Sequence, residues 1–142
     1  MNELVRILPV FLYFIVGVIS AVMAFKNFSS RKFLPFQEEA ANKPWAEIDH
    51  SLQLVILALL RLAGLGFLII AILLLAFPII NYLIPNTFYT FAIPVLALLF
   101  CTGLFIVNYS MYKKTNANTP WRGSVYAMIA IIVGMTLSLF NY

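Results

Sequence analysis

Charge is what this sequence has least of. Of 142 residues, Asp and Glu supply 5, Lys and Arg 9 and His 1, so charged residues make up 10% of the chain. A soluble domain carries about 25%. So little charge excludes an ordinary globular enzyme, a disordered tail and a nucleic-acid-binding module. Cysteine is nearly absent too. Cys101 stands alone, which rules out an intramolecular disulfide, a CxxC redox pair and a multi-cysteine metal site, and leaves the compartment unreadable from cysteine usage. With one histidine there is no HxxxH or HxxE spacing, and neither c-type nor b-type haem has its ligands. Walker loop, GxGxxG, serine elbow, HExxH and paired intramembrane carboxylates are all missing. No cofactor and no metal is expected, and nothing points to an enzyme.

What is present is apolar surface. Hydrophobic residues make up 63% of the chain and its mean hydropathy is +0.99. That composition describes an integral membrane protein. The hydrocarbon core is about 30 Å thick and needs about 20 apolar helical residues. Four stretches meet or approach this, at about residues 4–25 (or from Ile7), 52–77, 88–109 and 123–140. Backbone in lipid must satisfy its own hydrogen bonds, and the period-2 alternation of a membrane barrel is absent, so the spans are helices. The expected fold is therefore all-α: one polytopic domain over residues 1–142, its four transmembrane helices in a compact bundle. The first span is longer than a signal-peptide core and no A-x-A site follows it, so it is expected to be retained. No lipidation signal is seen.

Prolines mark the boundaries. Pro78 follows the second span, and Pro85 lies in the short loop before the third. Thr119 is suited to cap the fourth helix ahead of Pro120. Pro9 lies near the start of the first span, and Pro94, inside the third, is expected to kink it. Lys26, Arg31, Lys32 and Lys43 fall in the loop at about 26–51, and Lys113, Lys114 and Arg122 in the loop at about 110–122. Arg6 is the one basic residue on the other side. The positive-inside rule then puts both loops in the cytoplasm and both termini outside. Trp45, Trp121, Tyr109 and Tyr112 become inner interfacial anchors, and Tyr82, Tyr89 and Tyr142 outer ones.

Both basic loops end in a Pro-Trp pair, Lys43-Pro44-Trp45 and Thr119-Pro120-Trp121, just before the next span. Either the chain is two parallel repeats of two spans, or Pro-Trp is an interfacial helix start used twice.

Arg61 is the one charge inside a span. Counted from Leu52 it lies roughly 13 Å deep, near the bilayer centre. Such a residue is expected to face the bundle interior or a wet cavity, with Gly64 leaving room beside it. No acid lies in any span, so its candidate partners are neutral: a carbonyl released by Pro94, Thr102, Asn108, Ser110, Tyr126 or water. Two readings stay open, a site for a lipid phosphate or anionic solute built on Arg61 and Gly64, or an arginine that fixes helix packing. Glu38, Glu39, Glu47, Asp49 and His50 cluster before the second span and read as a solvated loop, with Asp49 or Ser51 capping the helix. On the fourth span Gly123, Ala127, Ala130, Gly134 and Ser138 form a stripe of small residues, available for packing inside the bundle or for a homo-oligomer seam.

The four spans, the two Pro-Trp starts and the Arg61-Leu62-Ala63-Gly64 stretch resemble small uncharacterised four-helix bacterial integral membrane proteins. The resemblance carries over no activity. The lack of targeting signals and the small size lead to the expectation of a bacterial inner membrane, with a eukaryotic organelle membrane as the alternative. The expected function is a non-enzymatic binding or accessory role, engaging lipid or a membrane-protein partner and no nucleic acid. The alternative is a small oligomeric transporter or channel for an anionic solute or lipid, built on Arg61.

Overall fold

The structure, a computed structural model, describes residues 2–84 and 86–140, with side chains for 7–81, 83–84, 86 and 88–140. The expectations for Arg6, Tyr82, Pro85 and Tyr142 lie outside these. Five α-helices follow in order: α1 (Asn2–Ser29), α2 (Pro35–Ala41), α3 (His50–Leu83), α4 (Thr87–Thr115) and α5 (Trp121–Leu139). Four of them, all but α2, are long and apolar enough to cross a membrane. The chain is a multi-pass membrane protein.

Local chemistry sets the ends. Asp49 caps α3, its carboxylate accepting from the Ser51 N–H at 3.1 Å and from the Ser51 hydroxyl. Those bonds hold the Asp49 pKa below its ordinary value, the hydroxyl first. The cap is therefore complete above the usual carboxylate range and weakens as pH falls through the lowered value. Asn86 caps α4 by accepting from the Phe88 N–H at 2.8 Å. Asn42 ends α2 and Asn116 ends α4, both left-handed at φ 50° and 55°, a conformation asparagine tolerates better than most residues. Lys113 and Lys114 sit in the last turn of α4, where cations suit the helix dipole.

Three boundary expectations are corrected. Pro78 does not end the second span. It lies inside α3, which runs on to Leu83, as membrane helices tolerate a proline where neighbouring helices and local backbone adjustment satisfy the freed carbonyl. Thr119 does not cap α5. Its hydroxyl turns back and donates to the Asn108 carbonyl at 2.8 Å, tying the α4–α5 turn to α4, while Pro120 occupies the cap position with no side-chain bond. The two Pro-Trp pairs are not equivalent either. Pro120-Trp121 opens α5 directly, but Pro44-Trp45 opens a separate 3₁₀ turn (Trp45–Glu47), and α3 starts only at His50. Thr119→Val keeps the volume and removes the buried donor. It should cost about 1 kcal/mol, read as a lower midpoint in thermal unfolding of the detergent-solubilised protein.

The four long helices close into a ring. α1 packs most extensively on α3 and also on α5, while α4 packs on α5 and, over the shortest seam, on α3. Every neighbouring pair is antiparallel, the up-down-up-down arrangement of a four-helix bundle. Small residues set the close approaches. A Cβ on Gly17 would stand 3.2 Å from Leu74 Cβ, and one on Gly64 would stand 3.1 Å from Asn27 Cβ. These two contacts fix the α1–α3 register. Gly66 receives the Phe100 ring of α4, and Gly134 receives the Tyr13 ring of α1. The core gathers Tyr13, Val16, Ile70, Leu74, Phe77, Ile93, Ala97, Cys101 and Ile131. Tyr13 meets Phe77 edge-on at 5.3 Å. Outside this core the surface is apolar, with Phe11, Phe14, Leu62, Ile69, Leu99, Ile106 and Ile132 all exposed. A soluble monomer does not present a continuous surface of this kind.

Candidate functional site at the basic end

One end of the bundle carries the α1–α3 connection and the α4–α5 turn. Lys26 near the end of α1, Arg31, Lys32 and Lys43 in the connection, Lys113 and Lys114 in the last turn of α4 and Arg122 at the start of α5 are all exposed. Trp121, the first residue of α5, anchors this end in an aromatic cluster. Its ring lies 5.5 Å from Tyr109 and 5.9 Å from Tyr112, and Phe105 stacks on Tyr109 at 5.3 Å. Arg122 lies 5.4 Å over Trp121, and Lys113 lies 5.8 Å over Tyr109, so cation–π attraction holds two of the basic residues on the aromatic belt. Trp45 is half-buried against Phe33, with ring centroids 4.9 Å apart.

Arg61 is also exposed, on the outer surface of α3, which corrects the expectation that it faces the bundle interior. Among the described residues it makes no hydrogen bond. Two of its proposed neutral partners are engaged locally: the Thr102 hydroxyl donates to Leu98 O at 2.8 Å, and the Asn108 amide donates to Leu104 O at 2.9 Å. Gly64 faces Asn27, so one turn back along α3 Arg61 stands level with Ser30, just beyond the end of α1. Carried through the antiparallel registers set by Gly64 on Asn27 and Gly66 on Phe100, Lys26 comes level with Leu65 and Tyr109 with Leu57. Arg61 lies midway between those two levels. α3 extends beyond α1 at this end, a stagger that the count from Leu52 does not include.

Gly64 is not an open space beside Arg61. It is buried, and its missing Cβ admits Asn27, Phe28 and the Ala24 carbonyl. Gly134 is likewise filled from within the chain by Tyr13, and Ala127 and Ala130 pack against the core, whereas a Cβ added at Gly123 would meet nothing within 4 Å. The lower part of the small-residue stripe thus packs α5 inside the bundle. His50 opens α3 and is exposed, and among the described residues no three His, Cys, Asp or Glu side chains could hold a metal ion.

The α1–α3 connection folds as a strap across this end. Gln53 donates to the Trp45 carbonyl at 2.8 Å, tying the 3₁₀ turn to α3. Glu39 of α2 accepts from the Asn118 N–H at 3.1 Å, tying α2 to the α4–α5 turn. Two cavities lie against the strap. One, of about 180 Å³, lies among α1, α3, α4 and α2 and is lined by Asn27, Asn108 and Gln37 among apolar side chains that include Ala63, Phe67 and Leu104. The other, of about 360 Å³, lies between α2, α3 and α4. Gln37, Leu59 and Met111 line both. Arg61 lines neither. The sequence reading missed Asn27 and Gln37. The available signal was an amide at the end of an apolar run, where leucine or alanine would serve packing equally well.

Comparison with family models, with curated proteins and with solved structures found no match.

Proposed function

We propose that this chain is a non-enzymatic integral membrane protein of the bacterial inner membrane whose basic end lies in the cytoplasm and binds anionic lipid headgroups. The observation that carries this reading is the position of Arg61: on the outer surface of α3, between the levels of Lys26 and Tyr109. The charge-free residues 62–83 that follow extend about 33 Å at 1.5 Å per residue, close to the thickness of the hydrocarbon core. Arg61 then stands at the inner edge of that core, where its guanidinium reaches the headgroups. Arg31, Lys32 and Arg122 belong to the same end. Each basic residue near an anionic leaflet contributes about 1 kcal/mol. Both termini lie outside in this orientation, as the asymmetry of Lys and Arg requires.

The test is native mass spectrometry of the protein released from nanodiscs that mix anionic and zwitterionic lipid. Wild type should retain the anionic lipid preferentially, and Arg61→Leu should lose roughly fivefold of that retention. Equal retention by the two proteins would contradict the reading and leave Arg61 a packing residue.

A further inference from the structure

The cavities beside α2 carry a second site, independent of Arg61. We infer that the cleft beneath α2 binds an amphiphile from the inner leaflet, one with a single apolar chain and an uncharged hydroxyl or carbonyl head.

The smaller cavity supplies the head site. Asn27 is only 3% exposed, so its amide is held out of bulk solvent. Its Nδ2 donates to the Met23 carbonyl at 2.7 Å, and its Oδ1 accepts from no group among the described residues. Asn108 repeats the pattern from α4, with Nδ2 spent on Leu104 O and Oδ1 unused. Gln37 does the reverse. Its Oε1 accepts from the Leu34 N–H at 3.0 Å, which leaves its Nε2 to donate. Three helices thus bring two acceptors and a donor to one cavity of about 180 Å³. Amide atoms with hydrogen-bonding capacity left over around one space favour an occupant that can both donate and accept. No Asp, Glu, Lys or Arg lines either cavity, which argues against a charged head.

The rest of the lining selects a chain. Phe36, Leu59, Leu60, Phe67, Leu104 and Met111 are apolar, as in most small-ligand sites, where a few polar groups orient an otherwise apolar occupant. The cleft lies between α3 and α4, the pair with the shortest seam, and α2 covers it from the basic end. Asn27 is level with Gly64 on α3, one turn deeper than Arg61, and Met23 and Phe67 line the deeper side of the same cavity, so the head sits just inside the leaflet and the chain runs on toward them. Among the described residues α2 packs on α4 and is joined to the α4–α5 turn by Glu39, which accepts from the exposed Asn118 N–H.

The experiment is photolabelling of the full chain in nanodiscs with a diazirine-bearing long-chain fatty alcohol, with cross-links mapped by peptide mass spectrometry. Labelling should concentrate on the segments around Met23 and Phe67 and should be competed away by excess unlabelled alcohol. Asn27→Leu and Asn108→Leu should each lower the competable labelling roughly fivefold, the loss of one hydrogen bond to a buried amide. Ala63→Phe, which fills the cavity, should abolish it. Wild type decides the matter even if a variant fails to fold. Labelling that does not compete, or that falls on outward residues such as Leu62 and Leu99, would overturn the site. Stronger competition by a fatty acid than by the alcohol would overturn the assignment of an uncharged head. Neither result bears on lipid retention by Arg61.

Discussion

Gly134→Leu should abolish the folded bundle. A Cβ at position 134 would stand 2.7 Å from Tyr13 Cε1, 2.9 Å from Cζ and 3.1 Å from the hydroxyl oxygen. The ring cannot retreat, because Tyr13 is fully buried and packed edge-on against Phe77. Even Gly134→Ala must push α5 from α1 and should cost about 1–3 kcal/mol, the usual range for overpacking. Leucine adds three more carbons in the same place. Its cost should exceed about 3 kcal/mol, a large part of a total stability of about 5–15 kcal/mol. Thermal unfolding in detergent would show Gly134→Ala with a lowered midpoint and Gly134→Leu with no cooperative transition. If both variants unfolded like wild type, the α1–α5 contact described above would be wrong. Among lipids this contact matters more than its apolar area, because helices in a bilayer associate through close packing and not through exclusion of water.

The second large effect lies on the other side of that contact. Tyr13→Ala should destabilise the bundle by about 3–5 kcal/mol, as removal of a large buried ring does elsewhere. The ring fills the space between Gly134 and Phe77. Tyr13→Phe should behave differently. Among the described residues the buried Tyr13 hydroxyl oxygen has no hydrogen-bond partner, and the Ser138 hydroxyl donates instead to the Gly134 carbonyl at 2.9 Å. Removing an unsatisfied buried group is neutral or stabilising, by up to about 1 kcal/mol. A double cycle separates the two parts of the contact. Gly134→Ala should cost less in Tyr13→Ala than in wild type, because the clash partner is gone. It should remain costly in Tyr13→Phe, where the ring carbons at 2.7 and 2.9 Å are still present. Additive costs throughout would show that the two residues do not meet.

Much of the fold was legible because lipid imposes a simple rule: about 20 apolar residues per crossing, all backbone bonds made within the helix. That rule located four spans and their class. It could not locate their ends. Pro78 reads as a stop, yet α3 continues through it to Leu83. Thr119 reads as a cap, yet its hydroxyl finds the Asn108 carbonyl across the turn, a contact set by how α4 and α5 meet. Asp49 was legible as a cap because its bond to Ser51 is local in sequence.

The candidate site was less legible for the same reason. Arg61 stood out as a lone charge, but its depth depends on which part of an apolar run longer than the bilayer lies in hydrocarbon. Neighbouring helices fix that, through glycines that read in sequence only as small residues. Asn27 was hidden differently, and Asn108 read only as a candidate partner of Arg61. Neither belongs to a motif, and their proximity arises only when α1 and α4 close around the strap.

The central claim is that Arg61 stands at the inner edge of the hydrocarbon core and faces outward. Electron paramagnetic resonance depth measurement tests it directly, with nitroxides attached at Arg61→Cys and Ile72→Cys in a Cys101→Ala background in liposomes. Ile72 is exposed on the same helix, and eleven residues correspond to about 16 Å. The account predicts position 61 within one helical turn of the interface and position 72 near the bilayer centre. A nitroxide at position 61 reporting the centre, with position 72 approaching the far interface, would contradict it.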